Sequence, residues 1–444
     1  MTRSRRLLLA YYADDFTGAT DALEWLERAG VRTRLYLRSP TPEELAHGPT
    51  VQAIGLAGAT RGMSAAALET ELRGAFARLR DLQPRHVHYK VCSTFDSSPA
   101  IGSIGRAIEI GAEVFATDVV PVVGGAPALG RFCVFGNLFA EYGIGSRGEI
   151  HRLDRHPAMT KHPVTPADES DLRRHLGRQT TLPISLIDVR EMNAPAAEVA
   201  RREAADAPAA PRIVLIDTLT SAHVSWIGEF LRARMADGTT GFVVGPSSVE
   251  QALGEVGRKR RRPNQAQPWP KPGPVERLLV VSGSCSPVTA GQIAWARRHG
   301  FAEVFVAPAE VARNAGAVVE TAAQAATALL AEGRHVIVHT LGAGVEPQAG
   351  ASAAELGDVL GHIARITIAT AGVRRLLIAG GDTSGHVARA VGIEALDLVA
   401  PFSPGAPLCR VCAPPPIDGL EVVVKGGQVG AEDHFGRVAT GEFS

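Results

Sequence analysis

The stretch Ala13-Asp14-Asp15-Phe16-Thr17-Gly18-Ala19-Thr20-Asp21-Ala22 decides the fold of the first half of the chain. It follows an apolar run at residues 7–12 that predicts a buried strand, and it opens an amphipathic helix that we expect to end near Ala29. Ligands of open α/β sheets bind beyond the carboxyl ends of the strands. Three carboxylates and two hydroxyls reach this edge, whereas a helix cap needs only one such side chain. The stretch therefore favours a binding or catalytic site.

The composition is that of a packed globular protein with no strong charge bias. Hydrophobic residues make up 45% of the 444 residues, a length that suggests two or three domains. The 46 basic and 46 acidic side chains balance, so no global field attracts nucleic acid or an anionic membrane. No apolar run approaches the ~20 residues of a membrane span, and no signal peptide is indicated. We expect a cytoplasmic protein without nucleic-acid or membrane partners, and a homodimer is left open.

Short apolar runs alternate with helical stretches, which predicts two α/β domains with mainly parallel sheets and an inter-domain cleft. The predicted strands lie at residues 7–12, 33–37, 51–56, 87–91, 114–119, 184–187, 213–217 and 242–244, and then at 277–282, 304–306, 336–339, 376–379 and 421–424. A basic, proline-rich segment interrupts the pattern, because its prolines continue neither a helix nor a central strand. The expected domains are residues 1–257 and 275–444, joined by a linker at 258–274.

Polar residues follow other predicted strands of the first domain. Arg61 ends the turn after the strand at 51–56, and the next such turn carries Lys90, Ser93, Thr94 and Asp96. Arginine binds a carboxylate bidentately, lysine acts as a point charge, and hydroxyls add hydrogen bonds. With carboxylates on the other side of the pocket, this set suits a small hydroxylated acid.

Further polar residues of the first domain are expected at or near the acid site. Asp14 would accept hydrogen bonds from the hydroxyls of the acid. Thr117 and Asp118 end the predicted strand at 114–119 and would reach the same edge. His162 lies in a segment rich in His, Arg and Pro, for which a surface loop and a part of the acid pocket are the two interpretations.

Glycine-rich turns with hydroxyl groups follow predicted strands of the second domain. A GxxxxGK[ST] motif is absent from the sequence, so a P-loop nucleotide hydrolase is disfavoured. Glycine lets a phosphate approach the backbone, and the N-terminus of a following helix supplies free N–H groups. These turns predict a nucleoside triphosphate site in which Lys425 neutralises phosphate charge. The expected nucleotide-binding residues are Ser284, Ser286, Gly342, Gly380, Gly381, Asp382, Thr383, Ser384, Lys425, Gly427 and Gly430.

With both constellations in place, the chain resembles the four-carbon acid sugar kinase family. The matching motifs are Ala13-Asp14-Asp15-Phe16-Thr17-Gly18-Ala19-Thr20-Asp21, Cys92-Ser93-Thr94-Phe95-Asp96-Ser97, Ser282-Gly283-Ser284-Cys285-Ser286-Pro287-Val288-Thr289 and Gly380-Gly381-Asp382-Thr383-Ser384-Gly385. The resemblance implies an N-terminal acid-sugar domain and a C-terminal ATP domain. It also implies an ATP-dependent kinase, working with Mg²⁺, that phosphorylates a hydroxyl of threonate, erythronate, a 3-oxo-tetronate or a related acid.

The chain departs from the family pattern at both sites. Its last loop reads Lys425-Gly426-Gly427-Gln428-Val429-Gly430, where the family usually has Lys-Ser-Gly-Asn-Phe-Gly. Tyr11-Tyr12, the turn at residues 58–61 and the segment at 156–166 are similar to a branch of 3-oxo-isoapionate kinases. The acceptor implied by this branch is not a straight four-carbon acid.

Phosphoryl transfer asks a protein mainly for positioning and charge stabilisation. We expect Arg61 and Lys90 to hold the carboxylate of the acid, and Asp15 to orient or deprotonate the attacking hydroxyl. Asp382 is the alternative base. An NAD-dependent acid-sugar dehydrogenase would need a GxGxxG motif with a downstream acid, which is absent from the sequence. A non-catalytic acid-sugar and nucleotide sensor remains a third hypothesis, although its many carboxylates would repel an anionic ligand.

Overall fold

A computed structural model of the chain describes residues 6–48, 50–142, 148–162, 164–205, 211–235, 239–259, 269–340 and 351–442, without the side chains of residues 42, 46, 47, 258, 259 and 382. The chain divides into two compact units. The first unit comprises Met1–Arg34 and Arg38–Ala266, and the second comprises Leu35–Leu37 and Gln267–Ser444. Residues 260–268, the greater part of the expected linker, lie outside the described residues.

The first unit is built on a mainly parallel sheet. Its strands are β1 (Leu9–Ala13), β2 (Thr33–Tyr36), β3 (Ala53–Ala57), β4 (His86–Lys90), β5 (Val119–Val123), β6 (Arg131–Val134), β7 (Asn137–Glu141), β8 (Ile150–Arg152), β9 (Ile184–Ile187), β10 (Arg212–Ile216) and β11 (Gly241–Gly245). Its α-helices are α1 (Phe16–Arg28), α2 (Pro42–His47), α3 (Ala65–Asp81), α4 (Ile104–Val114), α5 (Leu172–Gly177), α6 (Ala196–Ala205), α7 (Ser221–Ala233) and α8 (Ser248–Lys259). The strand order is β2-β3-β1-β4-β11-β5-β10-β9, and β6, β7 and β8 form a separate antiparallel sheet.

The centre of the first sheet is formed by strands whose side chains are buried on both faces. Strand β1 pairs in parallel with β3 and β4, so that Ala13 lies beside Ala57 and Lys90. All five residues of β1, β4 and β5 are buried. Helix-covered parallel strands have this near-continuous burial. The register brings the ends of β1, β3 and β4, and therefore the turns that follow them, to one edge.

The second unit has its own mainly parallel sheet. Its strands are β12 (Leu278–Ser282), β13 (Ala302–Phe305), β14 (Val336–His339), β15 (Arg375–Ala379), β16 (Ala395–Ser403), β17 (Ala406–Cys412) and β18 (Glu421–Lys425). Its helices are α9 (Pro287–Arg298), α10 (Pro308–Ala331), α11 (Ala353–Ala371), α12 (Gly381–Val391) and α13 (His434–Thr440). The order is β13-β14-β12-β15-β18-β17-β16, and the hairpin of β16 and β17 is antiparallel. The prediction of α/β units with mainly parallel sheets is confirmed.

One predicted strand is wrong. Residues 114–119 were expected to form a strand, but Val114 ends α4 and β5 begins only at Val119. The chain turns between these elements at Ala116, which has a φ of 49°. The apolar residues at both ends of this turn belong to two elements. Thr117 and Asp118 therefore precede β5, at the edge of the sheet opposite to Lys90, and they do not join the expected site.

The small sheet of β6 to β8 and the hairpin of β16 and β17 were not predicted. The hairpin contains Cys409 and Cys412, a single CxxC pair at the end of β17. The described residues contain no group of three or more His, Cys, Asp and Glu side chains that could hold a metal ion. Within the same residues, none of the helices combines the length and the apolar character that crossing a membrane requires.

Candidate functional site

The N-terminus of α1 brings Asp15 close to Lys90. Asp15 caps the helix, because its Oδ1 accepts a hydrogen bond of 2.8 Å from the backbone N–H of Gly18. Glycine is required at position 18, since a Cβ there would stand 2.5 Å from Asp15 Oδ1 and 3.0 Å from Lys90 Nζ. The helix start, the carboxylate and the ammonium group therefore share a space that admits no further side chain.

Arg61 ties Asp14 and Asp15 together. Its Nη2 lies 2.9 Å from Asp14 Oδ1 and 2.8 Å from Asp15 Oδ1, and its Nε donates to Asp14 Oδ2 at 3.2 Å. Asp14 Oδ2 also accepts from the N–H of Cys92 at 3.2 Å. Burial opposes the charge of Arg61, but Asp14 and Asp15 raise its pKa well above the ordinary value. Burial raises the pKa of Asp15, against the lowering effect of Arg61. The three predicted residues thus form one ionic cluster.

Lys90 is a buried cation at the end of β4. Its Nζ donates to the carbonyl of Val91 at 3.2 Å and lies 4.0 Å from Asp21 Oδ2. Burial raises the pKa of Asp21, and Lys90 counteracts this effect. Asp21 was not predicted as a site residue although it belongs to the stretch that opens the helix. Asp21 lies one helical turn after Gly18 in α1, on the side that meets Lys90, and this spacing was the signal that could have identified it.

The turn after β4 holds the other predicted polar residues of the first unit. Thr94 Oγ1 donates to Asp96 Oδ1 at 2.8 Å and lies 3.0 Å from the sulfur of Cys92. Burial raises the pKa of Cys92 to about 12, so its thiol is neutral at physiological pH. Phe95 occupies the turn with a φ of 55°, and Ser93 is half-buried beside it. The turn offers hydroxyls and a carboxylate rather than a reactive thiolate.

Helix α5 supports this turn through residues that the sequence did not single out. His175 Nε2 lies 2.8 Å from Ser97 Oγ, which also accepts from Gln179 Nε2 at 3.0 Å. Ser97 and His175 are 78 positions apart, and no local pattern links them. Thr94, Asp96, Ser97 and His175 contribute to a cavity of about 10 Å³, close to the space of one water molecule.

His162 is linked to the same cavity through its neighbour Thr165. The Nδ1 atom of His162 accepts from the backbone N–H of Thr165 at 3.1 Å. Thr165 lines this cavity together with Thr94 and Asp96. The structure therefore gives His162 the position of a loop residue behind the pocket wall.

In the second unit, three glycine-containing loops pack against one another. They follow β12, β15 and β18. A Cβ at Gly427 would stand 2.7 Å from Ser284 Oγ and 3.0 Å from Ser286 Cβ. A Cβ at Gly380 would stand 3.3 Å from the backbone nitrogen of Ser284 and from Thr383 Oγ1. The expected residues Ser284, Ser286, Gly380, Thr383 and Gly427 are thus brought together at the carboxyl edge of the sheet.

Lys425 ends β18 beneath these loops and is fully buried. Its Nζ donates to Thr289 Oγ1 at 3.1 Å, and Thr289 in turn donates to the carbonyl of Gly427 at 2.9 Å. In the described part of the chain, no carboxylate lies within 4.0 Å of Lys425. Burial lowers the pKa of Lys425 to about 7. Among the described residues the hydrogen-bond partner of Lys425 is one hydroxyl, so the lysine is suited to an incoming phosphate.

Two helices begin at these loops. Ser286 caps α9 by accepting from the N–H of Val288 at 3.2 Å. Helix α12 starts at Gly381, and Gly380 offers it no side-chain cap. The first turn of α12, which includes Gly381 and Thr383, therefore has N–H groups without partners in the helix.

The other expected nucleotide-binding residues differ in their burial and hydrogen bonds. Ser384 is fully buried and its Oγ donates to the carbonyl of Gly380. Gly430, with a φ of 90°, is held through its carbonyl by Gln292 Nε2 at 3.1 Å. Gly342 and the side chain of Asp382 lie outside the described residues.

Two family models match the chain. Residues 9–253 match the model of a sugar-binding N-terminal domain, and residues 279–435 match that of a nucleotide-binding C-terminal domain. The chain is 44% identical to the 3-oxo-isoapionate kinase of Paraburkholderia graminis, over 99% of this chain and 95% of that relative. It is 31% identical to the 3-oxo-tetronate kinase of Methylobacterium radiotolerans, over 97% of this chain and 98% of the relative.

Two solved structures share the fold. A Salmonella typhimurium LT2 protein presented as a tRNA synthase has a TM-score of 0.76 and 26% identity, over 98% of this chain and 99% of that one. A Haemophilus influenzae protein of the DUF1537 family has a TM-score of 0.69 and 22% identity, over 98% of this chain and 100% of that one.

Proposed function

This chain belongs to the four-carbon acid sugar kinase family, and we propose that it transfers the γ-phosphoryl group of ATP to a hydroxyl of 3-oxo-isoapionate or a closely related 3-oxo sugar acid. Its activity is that of an ATP-dependent acid-sugar kinase, because its full-length relatives are kinases of such acids. The dehydrogenase and sensor hypotheses receive no support from these relatives. The choice of 3-oxo-isoapionate rests on the higher identity to the kinase of that name.

The residues of the second unit fit the triphosphate of ATP, which supplies the phosphoryl group. The observation that carries this assignment is Lys425, a buried lysine with a hydroxyl partner and no carboxylate partner in the described residues. Above it, the close approach of Gly427 and Gly380 to Ser284 leaves backbone surface where side chains would otherwise stand. Phosphates bind where backbone N–H groups, glycines and a helix N-terminus meet. We propose that Ser284, Ser286, Gly380, Gly381, Thr383, Lys425 and Gly427 hold the phosphates, together with Gly342, Asp382, Ser384 and Gly430.

We further propose that Mg²⁺ accompanies the nucleotide and takes few ligands from the protein. Mg²⁺ usually keeps several waters and binds through substrate phosphates with one or two carboxylates. Asp382, at the first turn of α12, is the carboxylate that the sequence offers near the loops proposed to hold the phosphates.

For the acid, we propose that Asp15 orients and deprotonates the attacking hydroxyl. Both contacts of Asp15 with Gly18 and Arg61 use Oδ1, which leaves Oδ2 for the hydroxyl. The raised pKa of Asp15 supports this role, because a general base works best when its pKa is near the operating pH. Asp14, Lys90 and the turn with Ser93, Thr94 and Asp96 would contact the other polar groups of the acid. Asp382 remains the alternative base.

The test is a panel assay of the purified full chain with ATP and Mg²⁺. The acceptors are 3-oxo-isoapionate, a 3-oxo-tetronate, threonate and erythronate, and ADP release is measured for each. We expect acid-dependent ADP release with the highest kcat/KM for 3-oxo-isoapionate. Release with a 3-oxo-tetronate alone would move the acceptor to the other branch, and no acid-dependent release from any acceptor would overturn the proposal.

A further inference from the structure

Arg131 is a cation of the first unit that the sequence did not single out. It opens β6, in a hairpin that folds back on Gly125 directly after β5. Its Nη1 donates to the backbone carbonyls of Leu129 at 2.9 Å, and of Gly130 and Glu141 at 3.3 Å each. Its Nε is buried and has no hydrogen-bond partner among the described residues. Carbonyl groups thus fix the guanidinium in place but carry no net charge to neutralise it.

Arg131 lies at the carboxyl edge of the first sheet, because its hairpin follows β5, which is joined in parallel through β11 to β4. Cys92 and Asp96, in the turn after β4, and Glu141, at the end of β7, act electrostatically on Arg131. Cys92 also lies within the electrostatic range of Arg61. Arg61 and Arg131 therefore both lie within electrostatic range of the turn after β4, but they differ in their ion-pair partners. Arg61 binds two carboxylates, whereas no carboxylate of the described residues lies within 4.0 Å of Arg131.

The difference in pairing decides which arginine can accept an anion. Arg61 with Asp14 and Asp15 forms a cluster with an excess of negative charge, which repels a further carboxylate. Burial lowers the pKa of Arg131, and the charges of Cys92, Glu141 and Asp96 oppose this effect only in part. Its planar guanidinium can bind a carboxylate bidentately. A ligand carboxylate would give the Arg131 guanidinium an ion pair at contact distance, which the described residues do not provide.

We propose that Arg131 binds the carboxylate of the sugar acid, and that Arg61 instead holds Asp14 and Asp15 in position for the reacting hydroxyl. This inference rests on the proposed acid-sugar kinase function. It revises the expectation from sequence, in which Arg61 and Lys90 hold the carboxylate. Arg131 is then a substrate-binding residue, and Arg61 is a positioning residue.

The test compares the best acid of the panel with its primary carboxamide, which keeps the shape of the carboxyl group but not its charge. In the wild-type protein we expect the acid to be preferred by about tenfold or more in kcat/KM, the effect of one charged hydrogen bond. Arg131→Gln should raise KM for the acid about tenfold or more and leave the amide nearly unchanged, so that the preference falls towards one. Arg61→Gln should lower kcat for both and keep the preference.

Arg234→Gln is the matched control. Arg234 is another partly buried arginine of the first unit, with Nη1 buried and unpartnered in the described residues and with a pKa lowered by burial. It lies over Phe230, near Glu203 and Arg212. We expect this variant to keep the wild-type KM and preference. Arg131→Lys, which retains a charge, should give an intermediate preference. It replaces Arg131→Gln in the test if a thermal melt shows that Arg131→Gln is unfolded.

The outcomes separate this inference from the proposed function. An active wild-type protein whose Arg131 variants keep the full preference for the acid would overturn the inference, and so would a loss of preference in Arg61→Gln alone. A wild-type protein that releases no ADP with any acid would overturn the kinase proposal itself.

Discussion

Lys425 donates a hydrogen bond to Thr289, and this 3.1 Å contact is the main polar interaction of a fully buried ammonium group. The unfolded chain keeps the ordinary pKa of 10.5, whereas burial lowers the folded value to about 7. Between these values the unfolded state binds more protons than the folded state. The stability of the ligand-free protein therefore rises as the pH increases from about 7 to 10.5. An anion beside Nζ reverses this effect, because it favours the charged form.

The first prediction is that nucleotide binding takes up a proton at Lys425. At pH 8 the lysine is mostly neutral in the free protein, and phosphate charge raises its pKa back towards the ordinary value. Titration calorimetry with ADP, in buffers of different ionisation enthalpy, should show an uptake approaching one proton per ADP. Lys425→Met should lose this uptake and weaken ADP binding about tenfold or more. The exposed Lys271→Met is the control, and equal uptake in both variants would contradict the prediction.

The second prediction concerns the contact between the loops that follow β12 and β18. Gly427→Ala should weaken ADP and ATP binding, because its Cβ would stand 2.7 Å from Ser284 Oγ and push the loops apart. Gly291→Ala is a matched control on helix α9, where a Cβ meets no atom within 4 Å. This control should bind nucleotide normally and gain about 0.5–1 kcal/mol of stability from the helix preference of alanine. Unchanged ADP affinity in Gly427→Ala would show that this contact is not part of the nucleotide site.

The sequence predicts the sites where they depend on turns after strands, and fails where distant segments supply the partners. The motif at Asp14 and Asp15 and the turn at Lys90 were recognised because each directly follows an apolar run. Arg131 and His175 were not recognised, because Arg131 lies in a hairpin and His175 in a short helix, and neither directly follows a predicted strand. The strand at 114–119 failed for a related reason, because apolar residues continue through the turn at Ala116 and conceal the boundary. The opposite pairing of Arg61 and Arg131 is a property of three-dimensional contacts, which residue types alone do not encode.

The third prediction distinguishes the two candidate bases. Asp15→Asn should lower kcat about 10²–10⁴-fold, the usual contribution of a general base, and leave KM for ATP nearly unchanged. In the wild-type protein the rate should fall with decreasing pH as Asp15 becomes protonated. This acid limb should lie above the ordinary aspartate value of 3.8, because burial raises the pKa of Asp15. Asp382→Asn should instead affect KM for ATP. If Asp382→Asn instead lowers kcat and removes the acid limb, while Asp15→Asn keeps both, the base is Asp382.

The fourth prediction concerns His162 and the choice of acceptor. His162 Nδ1 holds the backbone of Thr165 at 3.1 Å, and Thr165 lines the cavity next to Thr94 and Asp96. His162→Ala should release this segment and alter the ratio of kcat/KM for 3-oxo-isoapionate to that for threonate about threefold or more, the effect of losing one neutral hydrogen bond. KM for ATP should stay constant. His162→Asn, whose Oδ1 can replace Nδ1 as the acceptor, should restore the ratio, and Lys161→Ala next to it should leave the ratio at the wild-type value. If the ratio is the same in His162→Ala and the wild-type protein, the loop only connects elements, and the turns at Arg61 and Lys90 select the acceptor.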